Sequence, residues 1–288
     1  MSTRTTLCIC LWFAVVAPCL AQDPYPAYMA QLAAEINAKH ASEAWSYWGT
    51  KTDKMGWTDY YLIETANGGL VSRIHVPKPG AKLDAAFIGD STIDIITLYD
   101  ANPTPKPNNE SVMPELATLN AGIGADTCAE SEARLPEIAA LAPSTIVIGC
   151  GNTDAWSPAT PDMAETKTAL LNIMAEGREF QVPIIIGTLT PILSVTPTVQ
   201  TTQSRSPSIV AKRIRTFNTW LRVAAVDNGD LVWNRWGNIA AGTGDYGIHM
   251  CFPMNGALPV DGIHPANCGQ MQAAGLRYLI AEDRGKTN

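Results

Sequence analysis

Two hydrophobic periods alternate along this chain. Short unbroken apolar runs, each closed near a glycine or a turn residue, are separated by longer stretches whose apolar positions recur every three or four residues. The first kind reads as buried strands and the second as helices packed on them. Strands are expected at Ala85–Gly89, Leu116–Ala121, Thr145–Gly149, Val182–Leu189 and Leu231–Trp233. Helices are expected at Cys128–Leu141, Met163–Phe180, Ile209–Asn228 and Gly269–Asp283. Strand–helix alternation predicts an α/β domain with a parallel sheet covered on both faces.

Before that domain the pattern is different. Residues 26–42 form one amphipathic stretch, with Pro26 suited to a first helical turn and Tyr28, Leu32, Ala33 and Ile36 on one face. Residues 45–61 are aromatic and polar, and strand-like text follows at Tyr60–Glu64 and Gly69–Val76. Pro77-Lys78-Pro79-Gly80 then breaks the pattern. Residues 22–80 are therefore expected to be an N-terminal extension packed on a main domain at 81–288. Residues 101–114 and 190–208 are rich in Pro, Asn, Thr and Ser and read as loops. Both are expected to border a site, because loops after strands carry function. Asn109-Glu110-Ser111 fits a glycosylation sequon in the first of them.

Residues 1–21 have the layout of a secretory signal. Arg4 gives a positive start, Leu7 to Val16 is apolar, and Cys19-Leu20-Ala21 ends on a small residue. The apolar run is too short for a membrane span, and no later run is long enough. A secreted protein, extracellular or periplasmic, is expected. A lipid anchor at Cys19 is the lesser alternative, with Pro18 against it. Four cysteines then remain: Cys128, Cys150, Cys251 and Cys268. An even count in an exported chain suggests disulfides, with three possible connectivities. Cys128–Cys150 and Cys251–Cys268 are favoured over the others, and free buried thiols are the alternative.

Composition narrows the function classes. Hydrophobic residues make up 46% of the 288 and charged residues 16%, which is globular. The net charge of −7 and the absence of any Lys/Arg run argue against nucleic acid. No tight His/Cys ligand cluster calls for a metal, and no cofactor is expected.

The candidate chemistry lies at strand ends. Gly89-Asp90-Ser91 closes the first strand of the main domain, where ligands of open α/β sheets collect. A lone serine there is more often turn chemistry. Asp261-Gly262-Ile263-His264-Pro265, just before the last helix, offers a carboxylate and an imidazole on one turn. A serine nucleophile needs a base to take its proton and an acid to orient that base. Asn120 to Thr127 is a Gly-rich strand-to-helix turn whose N–H groups can face an anion. Gly149-Cys150-Gly151-Asn152-Thr153-Asp154 ends the next strand and offers a side-chain amide to a developing oxyanion.

These pieces, in this order over residues 84–283, resemble the SGNH hydrolases, also called GDSL esterases and lipases. The resemblance implies a flavodoxin-like three-layer sandwich with a parallel sheet of about five strands. It implies Ser91 as nucleophile, His264 as base and Asp261 as its orienting acid. The oxyanion hole would use the backbone N–H of Ser91, a backbone N–H at Gly124 or Ala125, and the side chain of Asn152. Two positions depart from the family pattern. Ala125-Asp126 stands where Gly-Asp is usual, which a backbone donor tolerates only if φ is not positive. Gly151-Asn152-Thr153-Asp154 stands where Gly-x-Asn-Asp is usual, which leaves Asp154 as a supporting residue behind Asn152. Asp90 reads as a hydrogen-bonder under the turn.

The expected activity is hydrolysis of short acyl esters, O-acetyl groups on a carbohydrate among them, through an acyl-enzyme. His264 must be neutral to act, so the rate should fall below about pH 6–7. Trp156 is expected to touch substrate, with Trp45–Tyr61 and Trp233/Trp236 as further stacking surface; core packing is the competing reading of all of them. An acyltransferase with the same triad, or a glycan-binding protein with no catalysis, are the rival functions.

Overall fold

The computed structural model describes residues 23–42, 44–52, 56–64, 69–96, 113, 115–157, 162–192, 207–239, 254–255, 258–259 and 275–282. The turn carrying Asp261 and His264, and the cysteines Cys251 and Cys268, lie outside the described residues.

The chain opens with helix α1, Tyr25–Lys39. Pro26 occupies its first turn, and Tyr25, Tyr28, Met29, Leu32, Ala33 and Ile36 form its buried stripe. Three antiparallel strands follow: β1 (Trp45–Thr52), β2 (Thr58–Glu64) and β3 (Gly69–Val76). Five parallel strands come next: β4 (Ala85–Gly89), β5 (Thr118–Gly122), β6 (Ile146–Gly149), β7 (Ile184–Gly187) and β8 (Leu231–Trp233). Between them run α2 (Ser91–Ile96), α3 (Cys128–Ala133), α4 (Leu135–Ala139), α5 (Asn152–Trp156), α6 (Ala164–Glu179) and α7 (Pro207–Asn228). Two short helices, α8 at 235–239 and α9 at 275–282, complete the described elements, with a two-stranded ribbon at Met254–Asn255 and Leu258–Pro259.

All eight long strands form one sheet in the order β1-β2-β3-β5-β4-β6-β7-β8. The parallel part, β5-β4-β6-β7-β8, is the flavodoxin-like order expected of the fold. The sheet is wider than the five strands expected, because residues 45–76 add three strands to its β5 edge. β3 runs antiparallel to β5, pairing Ile74 with Leu119 and His75 with Thr118. β1, β2 and β3 thus share the sheet of the main domain, and α1 shares its core.

Alternate residues of each parallel strand serve opposite faces, as a pleated strand requires. Ala86, Ile88, Ile146, Ile148, Ile184 and Ile186 join the larger core with α1, α3, α4, α6 and α7. Ala85, Phe87, Val147 and Ile185 join a smaller core with Ile93, Trp233 and, from α9, Leu276 and Ile280. Three layers result.

Where a single helix was expected over Cys128–Leu141, the chain forms two. α3 begins with a capping box, Thr127 and Glu130 bonding each other's backbone N–H. It stops at Arg134, because Pro136 cannot continue the ladder and instead opens α4. The expected disulfide between Cys128 and Cys150 is present, with 22 residues of separation. It joins the start of α3 to the end of β6, and a loop of that size contributes about 3 kcal/mol in the chain-entropy account.

α1 and α4 meet through a carboxyl pair. Gln31 donates to both Glu35 and Glu137. Burial, and then the negative charge of Glu35, push Glu137 up from 4.5 to about 7. A folded-state value above the unfolded one stabilises the fold below the unfolded value, and that contribution is lost as pH rises through the folded one. The melting temperature should therefore fall as pH rises from 5 to 8, and Glu137→Gln should flatten part of that fall. Thermal melts across this range check it, and an unchanged slope in the variant would remove Glu137 as the cause.

Candidate functional site

β4 lies between β5 and β6, and the chain leaves it toward β5 before crossing back to β6. The carboxyl end of β4 is thus the point where strand order reverses, which is where open α/β sheets bind their ligands. Gly89 pairs with Gly122 on one side and with Gly149 on the other, so three glycines stand level across the sheet's carboxyl edge. A Cβ on Gly89 would lie 2.4 Å from the Gly149 carbonyl oxygen. A Cβ on Gly149 would lie 2.3 Å from Ile93. Bare backbone at this row lets α2 turn back tightly over the sheet, and it puts Ser91 at the first position of that helix.

Ser91 is half-buried. Asp90, beside it, is fully buried. Its Oδ1 accepts the Thr92 backbone N–H at 2.9 Å and the Thr92 hydroxyl at 2.6 Å. Its Oδ2 accepts the backbone N–H of Asn152 at 3.0 Å. The carboxylate thus pins the serine turn to the first residue of α5. This is the hydrogen-bonding role under the turn that the sequence suggested.

Asn152 is held on its other side. Its Nδ2 donates to the Thr190 hydroxyl at 3.0 Å and to the Thr190 carbonyl at 3.3 Å, and its Oδ1 accepts the Thr190 N–H at 3.2 Å. Thr190 follows β7 and is fully buried. The amide is therefore fixed in orientation before any ligand arrives. Gly151, its N-cap, has φ of 111°, in the region that only glycine enters freely. Asp154 stands two residues on from Asn152, in the same short helix. It accepts the Cys128 N–H at 3.1 Å and the Thr166 hydroxyl at 2.9 Å, and burial raises its pKa.

The turn after β5 carries Gly124 and Ala125. Ala125 has φ of 60°, so the condition set for an alanine at this position is not met. The left-handed conformation explains why glycine suits it. An L-residue there costs roughly 1–2 kcal/mol, while glycine loses about 0.4–1 kcal/mol through the unfolded chain. Ala125→Gly should raise the melting temperature slightly, by about 2 °C. Ala125→Val, with its β-branch, should lower it further than glycine raises it. Thermal melts of the two variants decide, and a glycine variant less stable than the parent would contradict the strain.

Several residues that position this edge were invisible in the sequence. His40, at the end of α1, has its Nε2 2.8 Å from the Gly124 carbonyl. Lys39 reaches Asp126 at 2.8 Å, and Arg134 pairs with the same carboxylate. Even with two cations beside it, burial raises the Asp126 pKa. Arg235, in α8, is fully buried; its Nη2 donates to the Thr92 carbonyl at 3.1 Å, and its guanidinium packs over Trp233 at 5.0 Å. Burial pushes it down to about 10, against the pull of the Asp90 carboxylate. The contacts from His40, Lys39 and Arg235 to Gly124, Asp126 and Thr92 span 84, 87 and 143 positions, and no local pattern announces them.

The expected aromatic surface is a correction. Trp156 is only 6% exposed and packs in the larger core, so its ring has no open stacking face. Tyr60, Tyr61 and Trp233 are buried as well. Trp48 is 62% exposed, but it sits on β1, four strand spacings from β4, or roughly 19 Å. Burial alternates only along the start of β1, where Trp45 and Tyr47 are half-buried and Trp48 is exposed, whereas β2 is buried on both faces, so Tyr60 and Tyr61 are both enclosed.

A search of protein-family models finds none that matches, and no curated protein matches by sequence. Solved structures do match. A Bacteroides fragilis protein described as an acylhydrolase superposes with a TM-score of 0.50 at 17% identity, over 69% of this chain and 87% of its own. A Streptococcus pneumonia protein described as a platelet activating factor gives 0.52 at 16% identity, over 69% and 85%. An acetylxylan esterase from Geobacillus stearothermophilus gives 0.47 at 19% identity, over 70% and 93%. The chain has the three-layer α/β fold of the SGNH hydrolases.

Proposed function

We propose that the protein is a secreted serine esterase that hydrolyses short acyl esters. One observation carries this reading: Asp90 ties the Ser91 turn directly to the backbone of Asn152. A candidate nucleophile and a candidate oxyanion donor are thereby held together at the reversal point of the sheet. A serine that is merely turn chemistry has no need of a buried carboxylate locking it to a fixed amide.

In this mechanism His264 takes the Ser91 proton, with Asp261 fixing its tautomer, and Ser91 Oγ attacks the ester carbonyl. The oxyanion is met by the Ser91 N–H, by the backbone N–H of Gly124, and by Asn152 Nδ2. The 3.3 Å bond from Nδ2 to the Thr190 carbonyl is the weaker of its two and the one an oxyanion displaces. The alcohol leaves with the proton from His264. Water, activated by His264, then releases the acid and restores Ser91.

The test is hydrolysis of p-nitrophenyl acetate and longer acyl esters by the purified protein, with mass spectrometry of the adduct formed by a fluorophosphonate. Labelling at Ser91, turnover highest with acetyl, and a rate falling below about pH 6–7 are expected. Turnover without labelling at Ser91 would move the chemistry elsewhere. A flat profile through that window would remove His264 as base. Transfer of the acyl group to an added sugar in preference to water would make the enzyme an acyltransferase.

A further inference from the structure

A second concave site, sharing no residue with the Ser91 turn, lies between the start of α6 and the stretch of α7 from Ile209 to Trp220. It is a cavity of about 370 Å³, within the range that holds small ligands. Its apolar lining is Met163, Ile209, Phe217 and Trp220. Phe217 and Trp220 meet at 5.2 Å and 46°, which makes an aromatic corner. Ile209 is 50% exposed, an apolar side chain left open at the rim.

The polar lining is Asp162, Lys167, Lys212, Arg213 and Thr216. Three cations against one carboxylate form a positive pocket on a chain whose net charge is −7. Asp162 is partly engaged already, its Oδ1 accepting the Ala164 N–H at 3.3 Å. Lys167 Nζ stands 5.7 Å from the Trp220 ring. Arg213 donates to the carbonyls of Ala155 at 2.5 Å and Ser157 at 2.9 Å, at the far end of the five-residue helix that begins with Asn152. The cavity is thus built into the support of α5, on the carboxyl edge of the sheet that also carries Ser91.

A ligand that fits this lining has an apolar ring face for the aromatic corner, hydroxyls for Thr216 and Asp162, and a negative charge for the lysines. A fatty acid satisfies the first and third needs but has no use for Thr216 and Asp162. A neutral sugar leaves the cations unanswered. We propose that the α6/α7 cavity binds an acidic sugar, a hexuronate residue of a polysaccharide chain, with its carboxylate on Lys167 and Lys212 and its ring against Trp220. Acting as an anchor apart from the reacting serine, it would hold an acylated acidic glycan for deacylation at Ser91. That last role rests on the esterase reading, whereas the binding does not.

The experiment is calorimetric titration of the full protein with trigalacturonate and, separately, with the neutral trisaccharide maltotriose. Trigalacturonate should bind at least tenfold tighter. Its affinity should drop about tenfold when both lysines are removed in Lys167→Ala/Lys212→Ala, and it should weaken as salt is raised, because the contacts are charged and partly exposed. Lys212 is exposed, so Lys212→Glu alone provides a variant whose fold is not at risk, and it should weaken binding in the same direction. Equal affinity for the two trisaccharides, or unchanged affinity in Lys212→Glu, overturns the site. Ester turnover is measured separately on the parent protein with p-nitrophenyl acetate. Binding without turnover keeps the anchor and defeats the esterase; turnover without selective binding does the reverse.

Discussion

Ser91→Ala is expected to lower kcat for ester hydrolysis by about 10⁶-fold, with little change in KM. The substitution removes one oxygen from a half-buried position. It leaves in place everything that shapes the turn: the Gly89 crossing, the Asp90 bonds to Thr92 and the bond from the Asn152 backbone. The fold should therefore be unchanged by circular dichroism, and the substitution leaves the backbone N–H of residue 91 in place. A loss of that size in an intact protein means that the missing oxygen forms the covalent bond. Comparing progress curves at matched protein concentration decides it. A variant within tenfold of the parent would exclude Ser91 as nucleophile.

Asn152→Ala should cost roughly 10²–10³ in kcat, again with KM nearly unchanged, because an oxyanion donor acts mainly in the transition state. Here the loss has a second component. The Asn152 amide both accepts from Thr190 N–H and donates to the Thr190 hydroxyl. Deleting it leaves a buried N–H unpaired, at about 1–3 kcal/mol of stability. The control is Thr190→Val, which removes only the hydroxyl partner and keeps the backbone bond. If Asn152 donates to the oxyanion, Thr190→Val lowers kcat far less than Asn152→Ala, while both lower the melting temperature. Equal losses in the two variants would make Asn152 a positioning residue only.

The local parts of this site were legible in the chain. Residues 85–89 are all apolar or glycine, and the strand they predict is the one observed. Gly89 stands where backbone must approach backbone, Gly149 where the Ile93 side chain closes onto the strand, and Gly151 where the chain turns left-handed, and such needs select glycine at a single position. Boundaries drifted where a local signal was shared. Pro136 reads equally well inside a first turn or as a break, and it turned out to begin a new helix. The Cys128–Cys150 bridge was favoured from cysteine count and context alone, and it is present.

Aromatics misled because residue type does not say which way a side chain faces. Trp156 follows the Asn152 turn and looks like substrate surface, yet a short helix rolls it into the core. Ala125 carries a conformation that its own identity disfavours, so its φ could not be read from its name.

By itself, then, the sequence determined the alternation of the five parallel strands with helices, the glycine row and the Asp-Ser turn, because each depends on neighbours within a few positions. Tertiary structure alone decided that residues 45–76 extend the sheet past β5, and that His40 and Arg235 reach the segments that follow β5 and β4 from 84 and 143 positions away. The reason is physical. Which strands lie side by side depends on the burial of whole faces summed over the domain, and no window of local periodicity contains that sum.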